Sequence, residues 1–187
     1  MAHVRSEEAA DPSSPQVPVL LITGPVGVGK TTTADAVSYL LAERGIRHAC
    51  VDLPQIGKAF PVPESDPWNE ELSHRNLASM WQNFQAVGAE RLIVSRVLES
   101  SSGLRRISEA VPGAEITVVR LRAPLSVVHR RIRARNAQPE WFLNAATELS
   151  QTMELHALED FVVDNEAMSV DETAKVVLDL TGWAERG

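Results

Sequence analysis

Gly24-Pro25-Val26-Gly27-Val28-Gly29-Lys30-Thr31-Thr32 fits the pattern G-x-x-x-x-G-K-S/T, the signature of a phosphate-binding loop, or P-loop. The run before it, Val17 to Thr23, is apolar and rich in β-branched residues, and Thr31 to Arg44 after it has helical spacing and closes at Gly45. A loop between a strand and a helix is the context this chemistry needs. Glycines let the backbone curl around an anion, and the helix N-terminus aims its amides at it. A chance Gly-rich turn explains neither the G-K-T ending nor the apolar strand at the entrance. Gly24, Val26, Gly27, Val28, Gly29, Lys30, Thr31 and Thr32 are therefore expected to bind a nucleotide. Lys30 would reach the β- and γ-phosphates, and the Thr31 hydroxyl would hold a Mg²⁺ bridging them.

The rest of the chain is consistent with a soluble enzyme around that loop. Its 187 residues suit one domain, expected over 17–187, behind a disordered tail over 1–16 that carries Arg5, Glu7, Glu8, Asp11, Pro12 and Pro15 but no apolar signal core. Hydrophobic residues make up 44% and charged residues 23%, with no apolar run of membrane-span length. A net charge of −7 argues against a broad nucleic-acid surface. The single cysteine, Cys50, cannot close an internal disulfide and fits a buried strand in a reducing cytoplasm. The expected partner is a small-molecule acceptor, with no nucleic acid and no membrane, in a monomer or homodimer.

Downstream, strands and helices alternate. His48 to Asp52 reads as a short strand ending in an acid, after which Pro54 blocks simple helical continuation. Gly57 to Pro67, with Pro61 and Pro63, is an irregular connection suited to a substrate loop. Asp66-Pro67 signals a helix start, and Leu72, Leu77, Met80, Trp81 and Phe84 supply its apolar face before Gly88. Arg91 to Val97 is a third strand, Gly103 to Val111 a short helix, and Glu115 to Leu121 a fourth strand. A helix follows Ala123-Pro124 to about Asn136, and a second runs from Glu140 to Leu158. Asp160 to Asp164 is the last strand, and Ser169-Val170-Asp171-Glu172 is a capping box for a final helix ending at Gly182. This α/β alternation predicts a parallel sheet in a three-layer α/β/α sandwich. Ligands then bind beyond the carboxyl ends of the strands, where the P-loop, Asp52, Ser95 and Arg96 converge.

GTPase switches and motor ATPases carry an acid at the end of strand three, and GTPases add N-K-x-D; neither pattern is present. The P-loop, the acid closing strand two (Asp52), and the segment from Val119 to Pro124 leading into Arg131-Ile132-Arg133-Ala134-Arg135 resemble the P-loop small-molecule and nucleotide kinases. The resemblance, over about 17–183, is to gluconate, shikimate, adenylylsulfate and nucleoside monophosphate kinases. It implies a five-stranded parallel sheet in the order 2-3-1-4-5, a substrate-binding region over about 53–90, and a short helical lid over about 130–145. In those kinases the R-x-x-x-R spacing belongs to a lid that closes on ATP, and Arg131 and Arg135 occupy the matching positions. Shikimate and gluconate kinases often have D-x-D at the end of strand two, whereas this chain has Asp52-Leu53-Pro54. The lone acid instead resembles chloramphenicol phosphotransferase, whose corresponding aspartate is the base. The resemblance implies ATP and Mg²⁺ as cofactors and a hydroxyl-bearing metabolite or antibiotic-like alcohol as acceptor. A nucleotide-binding regulatory or accessory protein is the alternative.

Several residues carry two readings each. Asp52 is either the catalytic base and a Mg²⁺ ligand with Thr31, or an acid capping the Leu53-Pro54 turn. Six arginines lie between Arg120 and Arg135. They are either a solvated face or a phosphate-facing cluster in which Arg131, catalytic and nucleotide-binding, shares a helix face with Arg135. Arg75 and Arg96 either bind an acidic or polar acceptor or are surface or ion-paired arginines. Trp68, beside the irregular loop, either packs or stacks on a substrate ring.

Overall fold

The apolar run ahead of the P-loop becomes β1 (Val17–Thr23), the central strand of the sheet in the computed structural model, which describes residues 16–134 and 140–185. In chain order there follow α1 (Lys30–Glu43), β2 (His48–Asp52), α2 (Leu53–Ile56), α3 (Glu70–Ala86), β3 (Arg91–Ser95) and α4 (Ser101–Ala110). Then come β4 (Ala114–Arg122), α5 (Leu125–Ala134), α6 (Trp141–His156), β5 (Phe161–Asp164) and α7 (Val170–Thr181). The strands lie in the order β2-β3-β1-β4-β5, all parallel, as the resemblance implied.

Buried on both faces, β1 has the near-continuous apolar sequence of a central parallel strand. Leu20 and Ile22 pack with Val37 and Leu41 of α1, Val128 and Ile132 of α5, and Val177 of α7. Val19 and Leu21 face the other way, against Leu77 and Trp81 of α3 and Ile107 of α4. Each such fully buried Leu or Ile contributes about 1.5–3 kcal/mol by leaving water. Because all five strands run the same way, their carboxyl ends share one edge: Ser95 stands in register with both Ile22 and Asp52, and Thr23 with Arg120. That edge carries the site.

Element boundaries moved where non-local bonds outweigh the local pattern. Pro54 does not stop a helix, because it falls in the first turn of the short α2, where its missing amide costs nothing. α3 begins at Glu70 rather than at Asp66-Pro67. Asn69, in the left-handed region at φ 50°, is held there by its side-chain amide on the Ala59 carbonyl at 2.9 Å. The Asp66 carboxylate still caps the helix from outside, accepting the amides of Glu70 at 2.8 Å and Glu71 at 3.0 Å. These bonds hold Asp66 below the usual carboxylate range. β3 ends at Ser95, two residues short of Val97, as the Leu98 amide turns onto the buried Thr23 hydroxyl at 2.9 Å. The capping box of α7 forms as its sequence predicts, with Glu172 and Ser169 exchanging hydrogen bonds.

Cys50 is half-buried, and its thiol is pushed up to about 12 by burial and the charges of Asp35 and Asp52, so it is not a nucleophile at neutral pH. No helix among the described residues is long and apolar enough to cross a membrane.

Candidate active site

The P-loop connects the carboxyl end of β1 to the amino end of α1. At Gly24, φ is +140° and a Cβ would stand 2.6 Å from the Leu121 carbonyl oxygen, so only glycine fits between the neighbouring strands. Gly29, at φ +111°, turns the chain into α1. Thr33 N bonds Gly29 O at 2.9 Å, and the amides of a helix's first turn before such a bond have no intrahelical partner and suit an anion. Lys30 folds over the loop, its Nζ donating to the carbonyls of Gly24 at 2.9 Å and Pro25 at 3.0 Å.

Asp52 stands across the sheet edge from that helix end. The Thr31 hydroxyl donates to Asp52 Oδ2 at 2.6 Å, joining two residues 21 apart in sequence. Asp52 also occupies the N-cap position of α2, yet its side chain makes no capping hydrogen bond. The carboxylate is turned toward the P-loop and not onto the amides of α2. Magnesium takes oxygen ligands, keeps several waters and relies on one or two protein groups plus phosphates. The exposed Thr31–Asp52 oxygen pair at the amino end of α1 fits that demand.

Arg131 projects from α5 onto the P-loop. Its Nη1 donates to Val28 O at 3.0 Å and to Asn165 Oδ1 at 3.2 Å, and its Nη2 donates to Asn165 O at 3.0 Å. Asn165 is buried directly beyond β5, and its amide also donates to Val28 O at 2.9 Å. Sequence reasoning missed Asn165, although its place just past a strand's carboxyl end was a usable signal. Arg135 and the break at Asn136 to Pro139 lie outside the described residues.

The rest of the arginine cluster divides by partner. Arg120 is buried between Glu154 at 2.8 Å and Glu159 at 2.9 Å. Arg122 forks onto Asp164 at 2.6 and 2.9 Å, holding that carboxyl below its usual range. Both brace β4 against its neighbours and do not face the phosphate loop. Arg130 and Arg133 are exposed.

Beside the P-loop lies a cavity of about 500 Å³ between Leu53 and Pro54 of α2, the start of α3, the turn after β3, and α6. A second, of about 590 Å³, shares Val26, Pro54, Trp68, Trp141 and Phe142 with the first. Trp81 and Trp183 are buried packing groups, but Trp68 is 70% exposed and Trp141 46%. Trp141 stacks on Phe142 with centroids 3.8 Å apart, and Trp68 leans on Trp141 at 6.1 Å. The Trp141-Phe142 pair escaped sequence reasoning. Arg75 is exposed on α3 and lines neither cavity, so it is not brought to the site.

Arg96 lines the first cavity, but as a bolt in its wall. Its Nε donates to Val97 O at 2.8 Å, and Nη2 forks onto Glu70 at 2.9 and 3.1 Å. Its Nη1 lies 3.0 Å from His74 Nε2. A guanidinium only donates, so Nε2 accepts and the His74 proton sits on Nδ1, donating to Glu70 O at 2.6 Å. Burial first, then the Arg96 and Arg106 charges, depress the His74 pKa against the opposing pull of Glu70. A histidine depressed on folding contributes stability above its unfolded pKa of about 6.5, and loses it as pH falls through the folded value. The thermal midpoint of the parent should therefore fall from about pH 7 to about pH 5.5 more steeply than that of His74→Gln. Parallel profiles would show that the imidazole is not the titrating group.

No family model and no curated protein matches the chain. Solved structures do. The tunicamycin resistance protein of Deinococcus radiodurans superposes with a TM-score of 0.65 at 22% identity, over 89% of this chain and 96% of that one. A gluconokinase from Sinorhizobium meliloti gives 0.59 at 18% identity, covering 89% and 93%. The APS kinase of Mycobacterium tuberculosis, in complex with AMPPNP and APS, gives 0.56 at 16% identity, covering 90% and 99%. These likenesses show that the chain has the fold of the P-loop kinases.

Proposed function

We propose that the chain is an ATP- and Mg²⁺-dependent phosphotransferase acting on a hydroxyl of a small molecule. The observation that carries this reading is the Thr31–Asp52 contact of 2.6 Å at the mouth of the P-loop, beside a ligand-sized cavity. The kinase names of the neighbours support it. When bound, Mg²⁺ supplies positive charge to the β/γ-phosphate oxygens, and Thr31 and Asp52 are the residues that would hold it. Asp52 takes the proton of the acceptor hydroxyl, or orients that hydroxyl for in-line attack. Lys30 leaves the Gly24 and Pro25 carbonyls for the β/γ-phosphates. The P-loop amides neutralise the charge of the transferring group, with the first turn of α1 behind them.

Arg131 stabilises the same charge, positioned by Asn165 through its two bonds to the guanidinium. Arg131→Ala should lower kcat by about 10–10²-fold, with a smaller change in nucleotide affinity. Asn165→Ala should reproduce part of that loss, and the double variant should be little worse than Arg131→Ala alone. Fully additive effects would separate Asn165 from Arg131. Normal turnover of Arg131→Ala would leave Arg131 a structural brace of the loop.

The function itself is tested by incubating the protein with γ-labelled ATP, Mg²⁺ and a library of hydroxylated metabolites and antibiotic-like alcohols. A labelled phosphate ester is expected. Nucleotide binding without any ester would instead support an accessory nucleotide-binding protein.

A further inference from the structure

The cavity beside the P-loop has an unusual charge balance for a site that must accept a ligand next to polyphosphate. Its described lining includes three carboxylates, Glu70, Glu99 and Glu148, and one basic side chain, Arg96. Every nitrogen of the Arg96 guanidinium is engaged, by Val97 O, His74 and both oxygens of Glu70, and its side chain is only 10% exposed. Glu70 and Arg96 therefore cancel, leaving Glu99 after β3 and Glu148 on α6, both exposed, to set the sign of the field.

The aromatic wall is the second observation. Packing tryptophans in this chain are buried, Trp81 at 1% and Trp183 at 6% exposure. Trp68 and Trp141 instead present indole surface along the boundary between the two cavities, with Phe142 stacked behind. Exposed aromatic surface that lines a concave site gives flat apolar faces, and such faces attract cations as well as rings.

From these two features we infer that the acceptor is an uncharged or cationic alcohol with a flat apolar portion, seated against Trp68, Trp141 and Phe142, and that anionic acceptors are disfavoured. This inference rests on the kinase reading for the hydroxyl but not for the charge or the ring. In the first cavity a carboxylate, sulfate or phosphate on the acceptor would approach Glu99 and Glu148 without an unengaged cation among that cavity's described lining residues to meet it, the exposed Lys58 lining the second cavity and not the first. An ammonium group would gain from the same two carboxylates. A neutral acceptor loses nothing to either.

Three probes with one ring and one hydroxylated arm isolate the charge: phenylalaninol, 3-phenylpropane-1,2-diol and 3-phenyllactate. Each is titrated into the full chain with Mg²⁺ and AMPPNP present, following tryptophan emission. The amine should bind tightest and the acid weakest, with about 10-fold between them at low salt and less at high salt. Glu99→Gln combined with Glu148→Gln should bring the amine to the level of the diol, and Trp141→Leu should weaken all three. Equal or tighter binding of 3-phenyllactate would overturn the inference, as would the absence of saturation by all three probes. The AMPPNP-induced shift in thermal midpoint, recorded on the same samples, reports separately on nucleotide binding. Its loss with the probe order intact would sink the kinase reading alone, and its presence with an inverted order would sink the acceptor inference alone.

Discussion

Asp52→Asn should fold like the parent, bind ATP with near-normal affinity, and transfer the phosphoryl group about 10²- to 10⁴-fold more slowly. Asparagine keeps the size of the side chain and an oxygen able to accept the Thr31 hydroxyl, so the 2.6 Å contact has a neutral replacement. What it removes is basicity and negative charge, the two properties that proton abstraction and magnesium require. Asp52 makes no side-chain cap in α2, so the substitution removes no hydrogen bond there. A parent-like kcat in the variant would take Asp52 out of the mechanism. An unfolded variant would mean that the carboxylate is structural after all, so far-UV circular dichroism and the thermal midpoint accompany the rate.

Lys30→Ala should largely abolish the stabilisation of the protein by Mg²⁺-ATP and reduce transfer by about 10²–10³-fold. A ligand that binds only the folded state at a hundred times its Kd stabilises it by about 2.7 kcal/mol. For a chain of this size that is a rise of several degrees, at about 2–4 °C per kcal/mol. Without nucleotide, the contacts the variant loses include the part-buried bonds from Lys30 to the Gly24 and Pro25 carbonyls. Its response to nucleotide, measured against its own ligand-free midpoint, should collapse. Equal stabilisation of variant and parent across an ATP titration would count against phosphate binding by this loop.

The parts of the molecule legible in the sequence are those specified locally. The P-loop glycines, the apolar β1 and the capping box at Ser169 each state their conformation within a few residues, and each formed as read. The acid at the end of β2 was legible as a candidate because strand ends converge in a parallel sheet, but its contact with Thr31 spans 21 residues and had to be seen. Asn165 touches Val28 across 137 residues, a pairing no local pattern encodes. Arg96 illustrates the opposite error: a basic residue at the active edge resembles a substrate ligand until Glu70 and His74, brought from α3, are found holding it. The arginine cluster likewise dissolved into pairs with Glu154, Glu159 and Asp164, leaving Arg131 as its described member at the P-loop.

On the proposed function a hydroxyl acceptor, not water and not a partner protein, receives the γ-phosphoryl group at the Thr31–Asp52 pair. The most direct measurement is the rate of ester formation from γ-labelled ATP with the library's best acceptor, in parent and Asp52→Asn, with Mg²⁺ and after its removal by chelation. Labelled ester is expected in the parent with Mg²⁺, and its near-disappearance in the variant or on chelation. Label remaining in ATP or released only as inorganic phosphate, whatever alcohol is supplied, would contradict it.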